Sequence, residues 1–233
     1  NGDIYEGDLV AGRREGKGRV TYANGDVYEG EFKDDRRDGS GTFIGNDGYT
    51  YIGAWAEGQI EGKGRVTYPD GSVYEGDFRD DLADGTGKIT YADGATYEGQ
   101  WTAGVIEGQG KAVYPNGVVY EGGFKNAKND GQGVMTYADG YRYEGAWVAG
   151  QIEGIGKVTY PDGSVYVGQF QDDLSKWEMN SAGDPEGQAD SRSNGFEFAK
   201  ILKLSTPLIM PGCRITRSYQ AGSQEKPYVP CPH

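Results

Sequence analysis

Apolar and small residues alternate along this chain with a step of two, and the alternation restarts every 23 residues. In the segment Asn24–Asn46, Tyr28, Gly30 and Phe32 fall on one side of an extended backbone, and Val27, Glu29 and Glu31 on the other. The second half of the segment behaves the same way, with Gly39, Gly41 and Phe43 in one set; the next copy has Gly62, Gly64, Val66 and Tyr68. A period of two predicts strands, two per copy. The copies begin at Asn1, Asn24, Asp47, Asp70, Asp93, Asn116, Asp139 and Asp162, with no insertion. Each carries a tyrosine (Tyr5, Tyr28, Tyr51, Tyr74, Tyr97, Tyr120, Tyr143, Tyr166), and two residues on a glycine. Two further on stands a large apolar residue: Leu9, Phe32, Trp55, Phe78, Trp101, Phe124, Trp147 and Phe170.

The connections complete the expected fold. Asn24-Gly25, Asp70-Gly71, Asn116-Gly117 and their equivalents lie between copies, and such pairs favour a two-residue type I′ hairpin turn. Pro69, Pro115 and Pro161 stand just before three of these turns. Within a copy the link reads as longer, for example Lys33–Asp38. The fold class expected is all-β: an elongated, twisted, single-layer antiparallel meander of repeated β-hairpins. At roughly 4.8 Å per strand it would extend about 75 Å. The glycines beside the aromatic positions are expected to let each ring lie flat on bare backbone. A second period of 46 is overlaid, with Trp55, Trp101 and Trp147 in alternate copies and Phe32, Phe78, Phe124 and Phe170 in the others. Gly12, Gly58, Gly104 and Gly150 likewise alternate with Asp35, Asp81 and Asp173, Ala127 being the exception.

The pattern fails in the eighth copy, where Trp177 and Met179 replace the expected glycines. Three regions follow: the repeat array over 1–173, a polar linker over 174–194, and an irregular tail over 195–233. Within the tail, Phe196–Leu204 reads as a short helix or a strand, either capping the last strands or lying over the aromatic face. An origin outside the repeat gene is the other reading of this abrupt change. The chain starts in repeat register at Asn1, so an upstream segment is expected.

Composition narrows the function classes. Glycine accounts for 41 of 233 residues, and 18 tyrosines outnumber Phe, Trp and Met together, so the interior must be built from local, repeated ring packing. Residues 1–173 hold 30 acidic and 16 basic side chains, a balance of −14, against 6 and 7 afterwards, a balance of +1. Such a body repels nucleic acid and anionic membrane surfaces. No apolar run reaches the length of a membrane span, and no signal peptide is visible. A cytoplasmic location is expected, at a membrane only as a peripheral protein. Cys213 and Cys231 are read equally as a disulfide or as two free thiols.

Tyr97-Glu98-Gly99-Gln100-Trp101, Gly104, Gly108-Gln109-Gly110 and Gly117 together resemble the MORN repeat (membrane occupation and recognition nexus). The resemblance covers Asn1–Asp173 in eight copies. Departures are few: Leu9 for the aromatic, Ile52 and Val167 for the glutamate, and Gly45 for the second-strand tyrosine. It implies an extended sheet of hairpins with an aromatic-lined groove. It also implies a binding or positioning role, as in modules accompanying lipid kinases, a lysine methyltransferase, junctional membrane proteins, and plastid division or cytoskeletal proteins.

No catalytic set stands out. The Gly-x-Gly pairs lack a following Gly-Lys-Ser/Thr, and no Asp-x-Asp-x-Asp-Gly calcium loop exists. His233 is the sole histidine, and Glu15, Asp38 and Glu61 recur copy after copy, unlike a glycosidase pair. Neither a cofactor nor a metal is expected. Asp34, Asp35, Asp80, Asp81, Asp172 and Asp173 read as a solvated acidic edge. The favoured reading is a non-enzymatic scaffold that holds a protein or peptide segment, its own tail included. The binding groove is expected from the exposed parts of Tyr51, Trp55, Tyr97, Trp101, Tyr143 and Trp147. The alternatives are a peripheral module binding acidic phospholipids, or the regulatory arm of an enzyme whose catalytic domain lies elsewhere. Pairing of two copies through open sheet edges is a further expectation.

Overall fold

The computed structural model describes residues 2–171 and the backbone of Leu174–Ser175. The linker and tail, with Asp172, Asp173, Cys213 and Cys231, lie outside the described residues. Among the described residues every regular element is a strand. Residues up to Val105 form one compact unit and those from Ile106 a second. The first holds β1 (Ile4–Val10), β2 (Arg13–Thr21), β3 (Val27–Lys33), β4 (Arg36–Ile44), β5 (Thr50–Ala56), β6 (Gln59–Thr67), β7 (Val73–Arg79), β8 (Leu82–Thr90) and β9 (Thr96–Thr102). The second holds β10 (Val105–Val113), β11 (Val119–Lys125), β12 (Lys128–Thr136), β13 (Arg142–Val148), β14 (Gln151–Thr159), β15 (Val165–Gln171) and β16 (Leu174–Ser175). In each unit the strands pair antiparallel in chain order, as a meander.

The register explains the recurring glycines. Gly30 faces Gly41, Gly41 faces Gly53, and Gly53 faces Gly64, so two glycines per copy form a row across the first unit's sheet. The tyrosine two residues earlier lies across this row. A Cβ on Gly64 would sit 2.4 Å from a ring carbon of Tyr51, and one on Gly53 2.3 Å from its hydroxyl oxygen. Only hydrogen fits. The other glycine of each Gly-x-Gly has a different task. Gly39 and Gly62 take positive φ (94° and 75°) inside a bulge where three residues oppose one, as Asp38–Ser40 oppose Glu31. The bulge frees a carbonyl on the facing strand. That carbonyl accepts the tyrosine hydroxyl: Tyr28 bonds Glu31 O at 2.9 Å, and Tyr51 bonds Ala54 O at 2.8 Å.

The two kinds of turn are exchanged relative to expectation. The two-residue turns lie within copies, at Asp34-Asp35 (φ 47° and 68°), Glu57-Gly58 (50° and 93°) and Asp80-Asp81 (48° and 67°). Both central residues are left-handed, as type I′ requires. The Asn-Gly and Asp-Gly pairs belong to longer loops. There Gly25 N–H donates to Tyr22 O (2.9 Å), and of Asn24 and Gly25 only the glycine has positive φ (92°). The Asn24 side chain instead accepts the Asp26 N–H at 3.1 Å, as Asp70 accepts that of Ser72 at 2.8 Å. The Asn or Asp side chain thus closes an Asx turn, and glycine supplies the left-handed φ. The prolines follow from the same loops. Ala23, Asn46 and Ala92 donate their N–H to the side chains of Asp3, Asp26 and Ser72. Pro69, Pro115 and Pro161 take the place of these donors and follow Tyr49, Ala95 and Tyr141 by twenty positions.

If Gly64 exists to seat Tyr51, then Gly64→Ala costs about 2–4 kcal/mol. Gly71→Ala, at φ 91° with open space around it, costs about 1 kcal/mol. Urea unfolding of the two variants checks the order.

Candidate functional site

The aromatic positions form a continuous column in each unit. In the first, Tyr28 meets Phe32 at 5.1 Å and Trp55 at 5.3 Å, Tyr51 meets Trp55 at 5.1 Å and Phe78 at 5.5 Å, and Tyr74 meets Trp101 at 5.1 Å. In the second, Tyr120 and Trp147 are 5.3 Å apart, and Tyr143 and Phe170 also 5.3 Å. Interplanar angles of 82–86° where a tyrosine meets the large ring of the next copy make these edge-to-face pairs. Each contributes about 0.5–1.5 kcal/mol beyond its buried area. Every such tyrosine is wedged between the large ring of its own copy and that of the next.

This placement corrects the expected groove. The structure brings Tyr51 to Trp55, Tyr97 to Trp101 and Tyr143 to Trp147, but all six are interior. The three tyrosines are 0 % exposed, and the tryptophans 5 %, 3 % and 3 %. No ring face is left for a partner. Half-buried rings lie instead along the loop end of the first unit, at Tyr22, Tyr49, Tyr68 and Tyr91, none of them among the six expected groove residues. Tyr22, Tyr68 and Tyr91 open the long loops. Tyr49 stands in for the ring that Gly45 lacks, 6.2 Å from Phe43 and 6.1 Å from Tyr68.

The 46-residue period extends, from the second pair of copies onward, to the residue eighteen positions before each large ring. Arg14 lies over Phe32 at 5.2 Å, and Arg37 over Trp55 at 4.1 Å, so these two rings rest against the residue eighteen positions earlier. The same offset puts Ala83 before Trp101, Asn129 before Trp147 and Ile60 before Phe78. Arginine precedes both Phe32 and Trp55; after that pair, alanine or asparagine precedes tryptophan and isoleucine precedes phenylalanine. Arg37 is 9 % exposed and bonds Gly58 O at 2.8 Å; burial holds its pKa below the ordinary arginine value.

Of the expected solvated edge, Asp34, Asp35 and Asp80 are exposed, and the expectation is corrected at Asp81. Asp34, Asp35, Asp80 and Asp81 are the turn residues themselves. Asp81 is buried, at 8 % exposure, and accepts the Ile60 N–H at 2.7 Å. Asp35 accepts the Arg14 N–H at 2.8 Å, and Asp34 pairs with Arg13 at 2.6 Å. Asp35 sits below the usual carboxylate pKa, chiefly through that N–H. A second recurring acid holds each turn from the preceding copy: Glu15 accepts the Asp34 N–H at 3.0 Å, Asp38 that of Glu57 at 3.2 Å, and Glu61 that of Asp80 at 3.1 Å. The spacing of nineteen between acid and turn was the signal in the sequence. On the face away from the rings, Arg65 pairs with Glu75 at 2.8 Å and Lys63 with Asp77 at 2.7 Å. Lys63, then Thr86, holds Asp77 down to about 2. Among the described residues no group of three His, Cys, Asp or Glu side chains is placed to hold a metal, and no helix is long and apolar enough to cross a membrane.

The MORN repeat model matches seven times, over residues 5–27, 28–48, 51–73, 74–96, 97–119, 120–140 and 143–165. The chain belongs to the MORN repeat family. Seven matches stand against the eight copies counted from spacing, and the last ends at residue 165, just before the tyrosine of the eighth copy, Tyr166. A second model, phage terminase large subunit gpA, ATPase domain, matches residues 166–233, nearly all outside the described residues. No curated protein matches the chain. Among solved structures, the SAS-4 TCP domain of Drosophila melanogaster, determined with a proline-rich motif of Ana2, is 13% identical, with 71% of this chain and 95% of that one covered and a TM-score of 0.43. The G-box domain of the microcephaly protein CPAP is 18% identical, covering 75% and 86% with a TM-score of 0.43. The TCP10 domain of Danio rerio CPAP is 18% identical, covering 70% and 87% with a TM-score of 0.33.

Two predictions follow from this MORN array. Asp81→Ala leaves the buried Ile60 N–H without its acceptor and a non-glycine residue at positive φ, costing about 1–3 kcal/mol; Asp81→Asn, which keeps an acceptor, costs less in the same urea titration. The buried tyrosines Tyr28, Tyr51, Tyr74, Tyr97 and Tyr120 are raised above the ordinary phenol pKa by burial. A raised folded-state value favours the protonated, folded form. That stability is present below about pH 10 and is lost as pH rises further. Tyrosine ionisation, followed by absorbance, therefore appears together with loss of the β-sheet circular dichroism signal.

Proposed function

We propose that this MORN array is a non-enzymatic, protein-binding module whose contact surface is the loop end of the ring-bearing face in the first unit. The observation that carries the reading is the row Tyr22, Tyr49, Tyr68 and Tyr91, half-buried beside a fully buried column. Tyrosine presents a rigid, amphipathic surface at low entropic cost and is common at interface centres. The groups that could have carried chemistry are engaged elsewhere, which supports a non-catalytic role. The Gly-x-Gly pairs seat rings and shape bulges, Glu15 and Glu61 hold turns, and the Asp-Gly pairs close loops. The acidic body disfavours an anionic lipid surface as the target.

Affinity capture from native extract, with the full chain and its Tyr91→Ser variant matched by circular dichroism, tests the reading. A partner held by the parent and weakened at least fivefold in the variant is expected. Capture of no protein, with co-sedimentation on phosphatidylserine vesicles at low salt, overturns it.

A further inference from the structure

The two ends of the first unit's strands differ in charge. At the two-residue turns acids and bases are mixed: Arg13 pairs with Asp34, and Arg36 with Glu57. The long loops are different. The stretches Thr21–Val27, Ile44–Thr50, Thr67–Val73 and Thr90–Thr96 contain Asp26, Asp47, Asp70 and Asp93 and not one lysine or arginine. Asp26 is buried, bonded to the Asn46 N–H at 2.9 Å, whereas Asp47, Asp70 and Asp93 are exposed. These three carboxylates recur once per copy along the same end as the half-buried tyrosines.

We propose that this end binds an extended, basic segment of a partner protein, running across the strands with one cationic side chain per repeat. The inference rests on the protein-binding reading above and names the chemistry of its partner. The charge is complementary: residues 1–173 hold 30 acids and 16 bases, and at this end of the unit the described loops carry acids alone. The surface is also suited to cations in a second way, because tyrosine ring faces attract guanidinium and ammonium groups. Spacing then selects the backbone. One copy is two strands, about 9.6 Å along the sheet. A polyproline II helix turns every three residues, about 9.3 Å. A chain with arginine or lysine at every third residue therefore meets each copy in phase, and its extended backbone loses little entropy on binding.

The test uses the full chain and three labelled peptides, read by fluorescence anisotropy: (Arg-Pro-Pro)4, a block peptide of four arginines followed by eight prolines, and (Glu-Pro-Pro)4. The variant is D47N/D70N/D93N. Asn24 already fills this loop position in another copy and makes the same Asx bond, so the triple variant keeps its loops. Expected is binding of the spaced arginine peptide at least tenfold tighter than the block peptide, no binding of the glutamate peptide, and at least a tenfold loss in the triple variant. Equal binding of the spaced and block peptides overturns the proposal, as does an unchanged affinity in the triple variant with unaltered circular dichroism. A protein partner retained equally by parent and triple variant overturns this inference while leaving the protein-binding reading in place.

Discussion

A phenol ring lying across two glycines, with its hydroxyl bonded to a carbonyl of its own strand, is the contact on which the rest of this chain depends. It recurs from Tyr5, bonded to Asp8 O at 2.7 Å, to Tyr143, bonded to Ala146 O at 3.2 Å. A single-layer sheet has no second layer to bury against. The ring supplies that layer by folding back onto its own strand pair, and glycine lets it approach. The hydroxyl then needs a partner, since a buried unsatisfied polar group costs about 1–3 kcal/mol. The bulge beside Gly39 and its equivalents turns out the carbonyl that provides one.

From that contact the neighbouring positions follow. A flat tyrosine exposes its edges sideways, and the large rings of its own and the next copy close on them edge to face. The column passes from copy to copy, so each copy stabilises its neighbours, as in other quasi-one-dimensional arrays. The turns are tied by the same logic of copy to next copy. An acid such as Glu61 and a carbonyl such as Ile60 O both reach forward to the turn at Asp80-Asp81.

Much of this was legible in the sequence because the periods are physical. A step of two at Tyr28, Gly30 and Phe32 can only place those residues on one face of a strand, and a fixed 23 can only stack identical pairs of strands. The glycine seats were foreseeable for the same reason. What misled was residue chemistry with two uses. Asn24-Gly25 satisfies a type I′ turn and an Asx-closed loop equally well, and only the register distinguishes them. Asp81 has the composition of a surface residue, yet the backbone beneath it has an N–H to satisfy. The rings at Trp55, Trp101 and Trp147 resembled interface anchors, but a column built on Tyr51 and its equivalents consumes them. The half-buried rings of the first unit, Tyr22, Tyr68 and Tyr91 among them, recur with the same period of 23 as the column, and only burial tells the two sets apart.

The account is tested most directly by a double-mutant cycle between Tyr51 and Gly64. If the glycine is there for the ring, adding a methyl group at position 64 is costly only while the ring is present. Removing the reach of the ring with Tyr51→Leu should make Gly64→Ala nearly free, giving a coupling energy of about 2 kcal/mol, near the upper part of the range for contacting residues. Costs that simply add, with coupling below about 0.5 kcal/mol, would show that the glycine row serves the backbone alone and that the ring is not what the sheet is built around.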